Sequence, residues 1–113
     1  MLKTVFVVKR SPNMTHDEYV AHYKATHAPL TVAHVEGLEK YVVNFIQPDD
    51  ADPDRPDVVV EMTWTDLDAF VNIKFGSPEG QQLIADDMAL SMGESTPFVV
   101  EEHIFKDTTA ATS

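Results

Sequence analysis

Strand-like and helix-like segments follow one another along this 113-residue chain in an order that leaves few topologies open. Leu2–Val8 is β-branched and apolar and reads as a strand. Residues 9–13 form a turn, and a helix begins at Met14. Val32–Glu39 reads as an irregular connection around Gly37, followed by a second strand over Tyr41–Ile46. Gln47–Pro56 is an acidic, proline-rich loop, read as a solvated surface. Val58–Thr65 is a third strand. Asp66 caps a helix expected to run to Phe75, and Pro78 opens another expected to reach about Met92. A fourth strand is expected over Pro97–Phe105. Strand, helix, strand, strand, helix, strand is the split βαββαβ order of a ferredoxin-like α+β fold, a four-stranded antiparallel sheet with helices on one face. One domain over residues 1–106 and a disordered tail over 107–113 are expected.

The other face of that sheet has no cover within one chain. Each strand is apolar on both sides for most of its length, and such a sheet must be covered twice. A chain of this size buries roughly two thirds of its unfolded surface. A homodimer packed sheet against sheet is therefore expected.

The first helix carries the chemistry. Thr15 and Glu18 make a capping box, and Met14 and Tyr19 a hydrophobic staple. Pro29 disfavours helical dihedrals at Ala28, which predicts a stop near His27. The inward stripe reads Tyr19, His22, Tyr23, Thr26, His27. A purely structural helix would carry Leu, Ile and Val there. Buried polar groups left unpaired cost roughly 1–3 kcal/mol each, so this face is more easily explained if it lines a cavity. Taken singly, either histidine also fits an ordinary interior role, and Tyr19 and Tyr23 fit a core with their hydroxyls at its rim. At about 100° per residue, His22 and His27 project about 140° apart and do not meet on one atom.

His27 is the candidate for proton transfer, because imidazole titrates near neutrality and a helix C-terminus favours its charged form. His22 is the candidate for orienting substrate or acting as complementary acid. Tyr19, Tyr23, Tyr41, Met62 and Trp64 are candidate walls for a flat organic ligand. Alternation along the third strand puts Met62 and Trp64 on the helix side if Glu61 and Thr63 face the dimer. An inverted register exchanges the two sets, and Glu61 stays open between them.

Other classes are set aside on composition. Net charge is −11 with eight scattered basic residues, so neither nucleic acid nor membrane is an expected partner. There is no cysteine, hence no disulfide, thiolate metal site or Cys nucleophile. No metal is expected, since the two histidines lack the i, i+4 spacing of zinc enzymes. Glycines at 37, 76, 80 and 93 form no dinucleotide or phosphate loop. TVFVV is too short for the apolar core of an export signal and KR follows it, so a cytoplasmic protein is expected.

The segments MTHDEYVAHYKATHAPL, LEKYVVNF, DVVVEMTW, TDLDAFVN, SPEGQQLIADD and PFVVEEHIF, in this order, resemble the EthD family of dimeric α+β barrels. The H-x4-H-A-P-L helix ending, the D-x3-E strand and the S-P-E-G helix start are the most specific pieces. The resemblance implies a cofactor-independent enzyme of lyase or isomerase type, such as a polyketide decarboxylase, dehydratase or cyclase, or a methylmuconolactone methylisomerase. Substrates of that class are aromatic, polyketide-like or lactone compounds. It also places His27 near a histidine used by the isomerase-like members and Met62 near a cysteine used there. A thioether neither attacks nor exchanges a proton, which argues against methylisomerase activity itself. The competing reading is a non-catalytic dimer that binds a hydrophobic metabolite, as a carrier or as an accessory to an oxygenase.

Overall fold

The computed structural model describes residues 1–109. Its elements are β1 (Leu2–Arg10), α1 (His16–His22), a π-helical turn (Tyr23–His27), α2 (Ala28–His34), β2 (Leu38–Phe45), β3 (Val58–Trp64), α3 (Leu67–Val71), α4 (Pro78–Ser91) and β4 (Met92–Val100). The sheet runs β2-β3-β1-β4 and every pairing is antiparallel. This is the expected ferredoxin-like arrangement. Residues 107–109 lie outside any helix or strand and are exposed, while 110–113 of the expected tail lie outside the described residues.

Several boundaries differ from the sequence expectation: β1 runs on to Arg10, β2 starts at Leu38 within the expected irregular connection, and three further differences bear on the site or the sheet. The first helical unit does not stop at His27. Ala28 keeps helical dihedrals (φ −64°, ψ −46°), and α2 continues to His34. The reason is the π turn. The Ala28 N–H bonds the Tyr23 carbonyl five residues back. In a regular α-helix the Pro29 ring would collide with the carbonyl of Ala25. The widened turn just before it lets the chain pass through, bent rather than broken. The helix capped by Asp66 is also shorter than expected, ending at Val71.

The fourth strand runs from Met92 to Val100 rather than from Pro97 to Phe105, and residues 101–105 lie outside any strand. Gly93-Glu94-Ser95-Thr96 has a turn's composition, yet it pairs with the central strand β1, with Val8 opposite Ser95 and Val7 opposite Thr96. Sheet context overrides propensity here. Pro97 is tolerated because β4 is an edge strand.

The core lies between the sheet and the helices. Val8, Tyr19, Tyr23, Val58, Val60, Trp64 and Ile84 are buried. The capping box forms as read, with Thr15 Oγ1 accepting from the Glu18 N–H at 3.1 Å and Glu18 from the Thr15 N–H at 2.9 Å. Gly37 has φ +75°, a left-handed conformation suited to glycine. Asp57, 1% exposed, clasps three elements. It accepts from the Arg10 backbone N–H and Nη1, both at 2.8 Å, and is 2.7 Å from His16 Nδ1. Burial alone would raise its carboxyl. The Arg10 backbone N–H, His16 and the Arg10 guanidinium together hold it below the ordinary value.

Register fixes the sheet faces. Thr4, Phe6, Val8, Val58, Val60, Met62, Trp64, Tyr41 and Val43 share the helix side. Lys3, Val5, Val7, Val59, Glu61, Thr63, Val42 and Asn44 share the outer side. Glu61 is thus placed away from the helices. Its partners lie within the chain: Lys3 Nζ at 2.7 Å and Asn44 Nδ2 at 3.0 Å. Lys3 also pairs with Glu102. The outer face is accordingly mixed, a valine stripe beside an ion-pair cluster, rather than uniformly apolar.

Candidate functional site

The π turn changes which side chains meet. A turn closed by i→i+5 hydrogen bonds brings residues five apart onto one side. His22 and His27 do not diverge as a regular helix would require. They converge on one carboxylate, Asp87 of α4. His27 Nδ1 lies 2.8 Å from Asp87 Oδ2, and His22 Nε2 lies 2.5 Å from Asp87 Oδ1. Asp87 and His27 are each 7% exposed; His22 is half-buried.

A carboxylate only accepts, so His27 donates through Nδ1 and His22 through Nε2. This leaves Nε2 of His27 as the nitrogen available to a ligand, with its lone pair free when the ring is neutral. Burial lowers the His27 pKa. Asp87 opposes that shift and His22 adds to it. The helix-end argument for a charged His27 therefore fails on two counts: the residue is inside a continuing helical unit, and burial favours its neutral form.

Between the sheet and the helices lies a cavity of about 170 Å³. His27 and Tyr23 line it from the π turn, Met62 and Trp64 from β3, and Met88 from α4. Trp64 is fixed there by a hydrogen bond from Nε1 to Thr4 Oγ1 at 2.9 Å. Tyr23 packs edge-on against His27, centroids 4.8 Å apart. Its hydroxyl is 2.6 Å from that of Tyr41. Burial raises the Tyr23 and Tyr41 phenols far from use as general bases near neutrality.

The candidate residues therefore separate. His27, Tyr23, Met62 and Trp64 share the cavity wall. His22 stands behind Asp87, off the wall. Tyr41 stands behind Tyr23. Tyr19 is fully buried, with its hydroxyl 3.2 Å from Met92 Sδ, and is core rather than wall. Sequence reasoning missed Asp87. It lies 60 positions from His27, inside the run IADD, where an aspartate reads as solvated helix surface. One signal was present: Ile84, Asp87 and Ser91 share the i, i+3, i+7 stripe on which α4 buries its residues.

The sequence profile of the EthD domain matches residues 11–90. The fold is similar to that of an ethyl tert-butyl ether D (EthD) family protein from Bacillus halodurans, 23% identical over 91% of this chain and 100% of that one, TM-score 0.64. It is also similar to a dimeric protein of unknown function and ferredoxin-like fold from Bacteroides fragilis, 12% identical over 89% and 95%, TM-score 0.60. A third is SnoaB, a cofactor-independent oxygenase from Streptomyces nogalater, 18% identical over 94% and 100%, TM-score 0.56. No curated protein matches the chain. On the domain match, which spans most of its length, the chain belongs to the EthD family.

Proposed function

We propose that this EthD-family chain is a cofactor-independent enzyme that uses His27 for acid–base chemistry on a small aromatic, polyketide-like or lactone substrate. The observation that carries the reading is a buried imidazole on the wall of an apolar cavity, one nitrogen held by Asp87 and the other left for a ligand. A base must be neutral to accept a proton, and burial keeps this one neutral. As the proton arrives, the Asp87 carboxylate stabilises the imidazolium. The reaction class is decarboxylation, dehydration, cyclisation or isomerisation, in each of which the enzyme's part is to move a proton, with CO2 leaving in the first, water in the second and a ring bond closing in the third. Tyr23, Met62 and Trp64 position the ligand, and His22 acts through Asp87. SnoaB works without a cofactor on the same fold, which supports the reading in outline.

The assembly belongs to the same proposal. The outer valine stripe is covered by a second copy of the chain; that a Bacteroides fragilis protein of similar fold is dimeric supports a dimer in outline. Among the described residues no helix is long and apolar enough to cross a membrane.

His27→Ala is expected to lower turnover roughly 10²–10⁴-fold. An unimpaired variant would rule the role out. The competing reading, a carrier or oxygenase accessory, uses the same cavity without a titrating group. A carrier binds neutral ligands almost independently of pH between about 6 and 8, whereas an enzyme's rate follows an imidazole.

A further inference from the structure

We propose that the cavity selects uncharged ligands and rejects carboxylates and phosphates. The proposal rests on the acid–base reading and narrows it. Among the described residues no Lys or Arg lines the cavity. Its polar groups are few: the Tyr23, Thr31 and Ser95 hydroxyls and the His27 ring. The Thr31 hydroxyl donates to the His27 carbonyl at 3.0 Å, and the Tyr23 hydroxyl is bound to Tyr41. An anion entering would lose its water and meet no compensating cation.

The ionised groups around the cavity reinforce this. Behind His27 stands Asp87 of α4, of the same sign as the excluded ligand, with His22 of α1 on its other oxygen. A proton on His27 would already be balanced by Asp87, so no net positive charge remains for a substrate carboxylate. Burial of the ring works in the same direction. The whole chain carries −11, which repels anions before they arrive. The space, about 170 Å³ and open to solvent on one side, is enough to hold a single ring.

The charge rule divides the reaction class. Decarboxylation requires a carboxylate beside His27 and is excluded. Isomerisation, cyclisation and dehydration of a neutral carbonyl compound remain. In an isomerisation a C–H bond breaks, its proton goes to His27 Nε2, and its electron pair shifts into the neighbouring carbonyl. The same proton then returns at another atom. Nothing is oxidised or reduced, and no co-reactant is needed.

The five methionines supply a position-specific test. Met62, Met88 and Met92 line the cavity, and Met1 and Met14 do not. Acetophenone and benzoate have nearly the same size and shape and differ in charge. Methionine-methyl NMR at about pH 7.5, where imidazole is mostly neutral, is expected to show acetophenone shifting the three cavity methyls and leaving the other two in place. Benzoate is expected to need at least about tenfold more concentration for the same shift. Equal response to benzoate overturns the proposal, and so does acetophenone leaving the cavity methyls unmoved. A His27→Gln variant separates the two layers. Benzoate bound by the wild type but lost in this variant would make the imidazolium an anion site, ending the charge rule while sparing the acid–base reading. Failure of that reading shows instead as retained turnover in His27→Ala.

Discussion

His27 Nδ1 donates to Asp87 Oδ2 at 2.8 Å, joining the π turn to the middle of α4. Two consequences follow from this one bond. It selects the tautomer that leaves Nε2 with a lone pair, and it satisfies a buried ring nitrogen that would otherwise be unpaired. The second Asp87 oxygen is taken by His22, so the carboxylate cannot turn away without abandoning one imidazole.

Asp87→Asn keeps the shape and removes this control. The amide presents one acceptor and one donor, so one of the two rings must reverse its tautomer. If His27 reverses, Nε2 carries the proton and is no longer a base. Turnover is expected to fall about 10²–10⁴-fold, with nitrogen NMR of the imidazoles showing the changed tautomer. Asp87→Ala is expected to lose about 1–3 kcal/mol of stability as well, since two ring N–H groups lose their acceptor.

The depressed His27 pKa sets a pH dependence of definite sign. In the unfolded chain this imidazole titrates near 6.5; in the folded chain it titrates lower. Below about 6.5 the unfolded state therefore binds more protons, and stability falls as pH falls through that window. Above it both states are neutral and the contribution is constant. Thermal melts between about pH 5 and 8 should show His27→Gln losing less stability on acidification than the wild type. A steeper loss in the variant contradicts the assignment. Turnover should keep its plateau to below 6.5 for the same reason.

Sequence legibility divides along one physical line. Periodicity and caps gave the element order, because Thr15, Asp66 and Ser77 each cap a helix through a local hydrogen bond. Strand alternation put Met62 and Trp64 on one side together, but which side faces the helices is decided by the pairing register of β3 with β1 and β2. What stayed hidden depended on distant contacts. The π turn departs from the 100° assumption that separated His22 from His27. Asp87 meets them only through packing of α4. The start of β4 is decided by pairing with β1, not by the sequence of Gly93–Thr96. Arg10, His16 and Asp57 likewise come together from three elements.

Gly80 tests the packing that holds α4, and with it Asp87, in place. A Cβ at this position would run into the His34 ring and lie 3.0 Å from its Cβ. Gly80→Ala in an exposed helix would raise helix propensity by up to about 1 kcal/mol. Here it forces α2 and α4 apart, and the net expectation is a loss of about 1–3 kcal/mol in urea unfolding. Stabilisation instead would mean that His34 swings clear at little expense. Where Gly80→Ala loses stability as expected, His34→Ala restores most of the loss, because the colliding ring is gone.

The proposed dimer is tested at the outer sheet face. Val7 lies on the central strand opposite Val59, with Val5 beside it and Lys3 paired to Glu61 further along. A second copy laid over this face would bury the valine stripe and leave the ion pairs satisfied within each chain. Sedimentation at micromolar concentration is expected to give a dimer for the wild type. Val7→Lys places an uncompensated ammonium in the middle of the stripe. Removing one buried valine contact on each side forfeits about 1.5–3 kcal/mol per side chain, and burying the charge adds to that. Dissociation should therefore rise at least about tenfold. In a monomer the same position faces solvent, where substitutions stay within about 0.5 kcal/mol, so the variant should remain folded by circular dichroism. A folded wild-type monomer at that concentration, or a Val7→Lys dimer as tight as the wild type, would show that a different surface, or none, joins the copies.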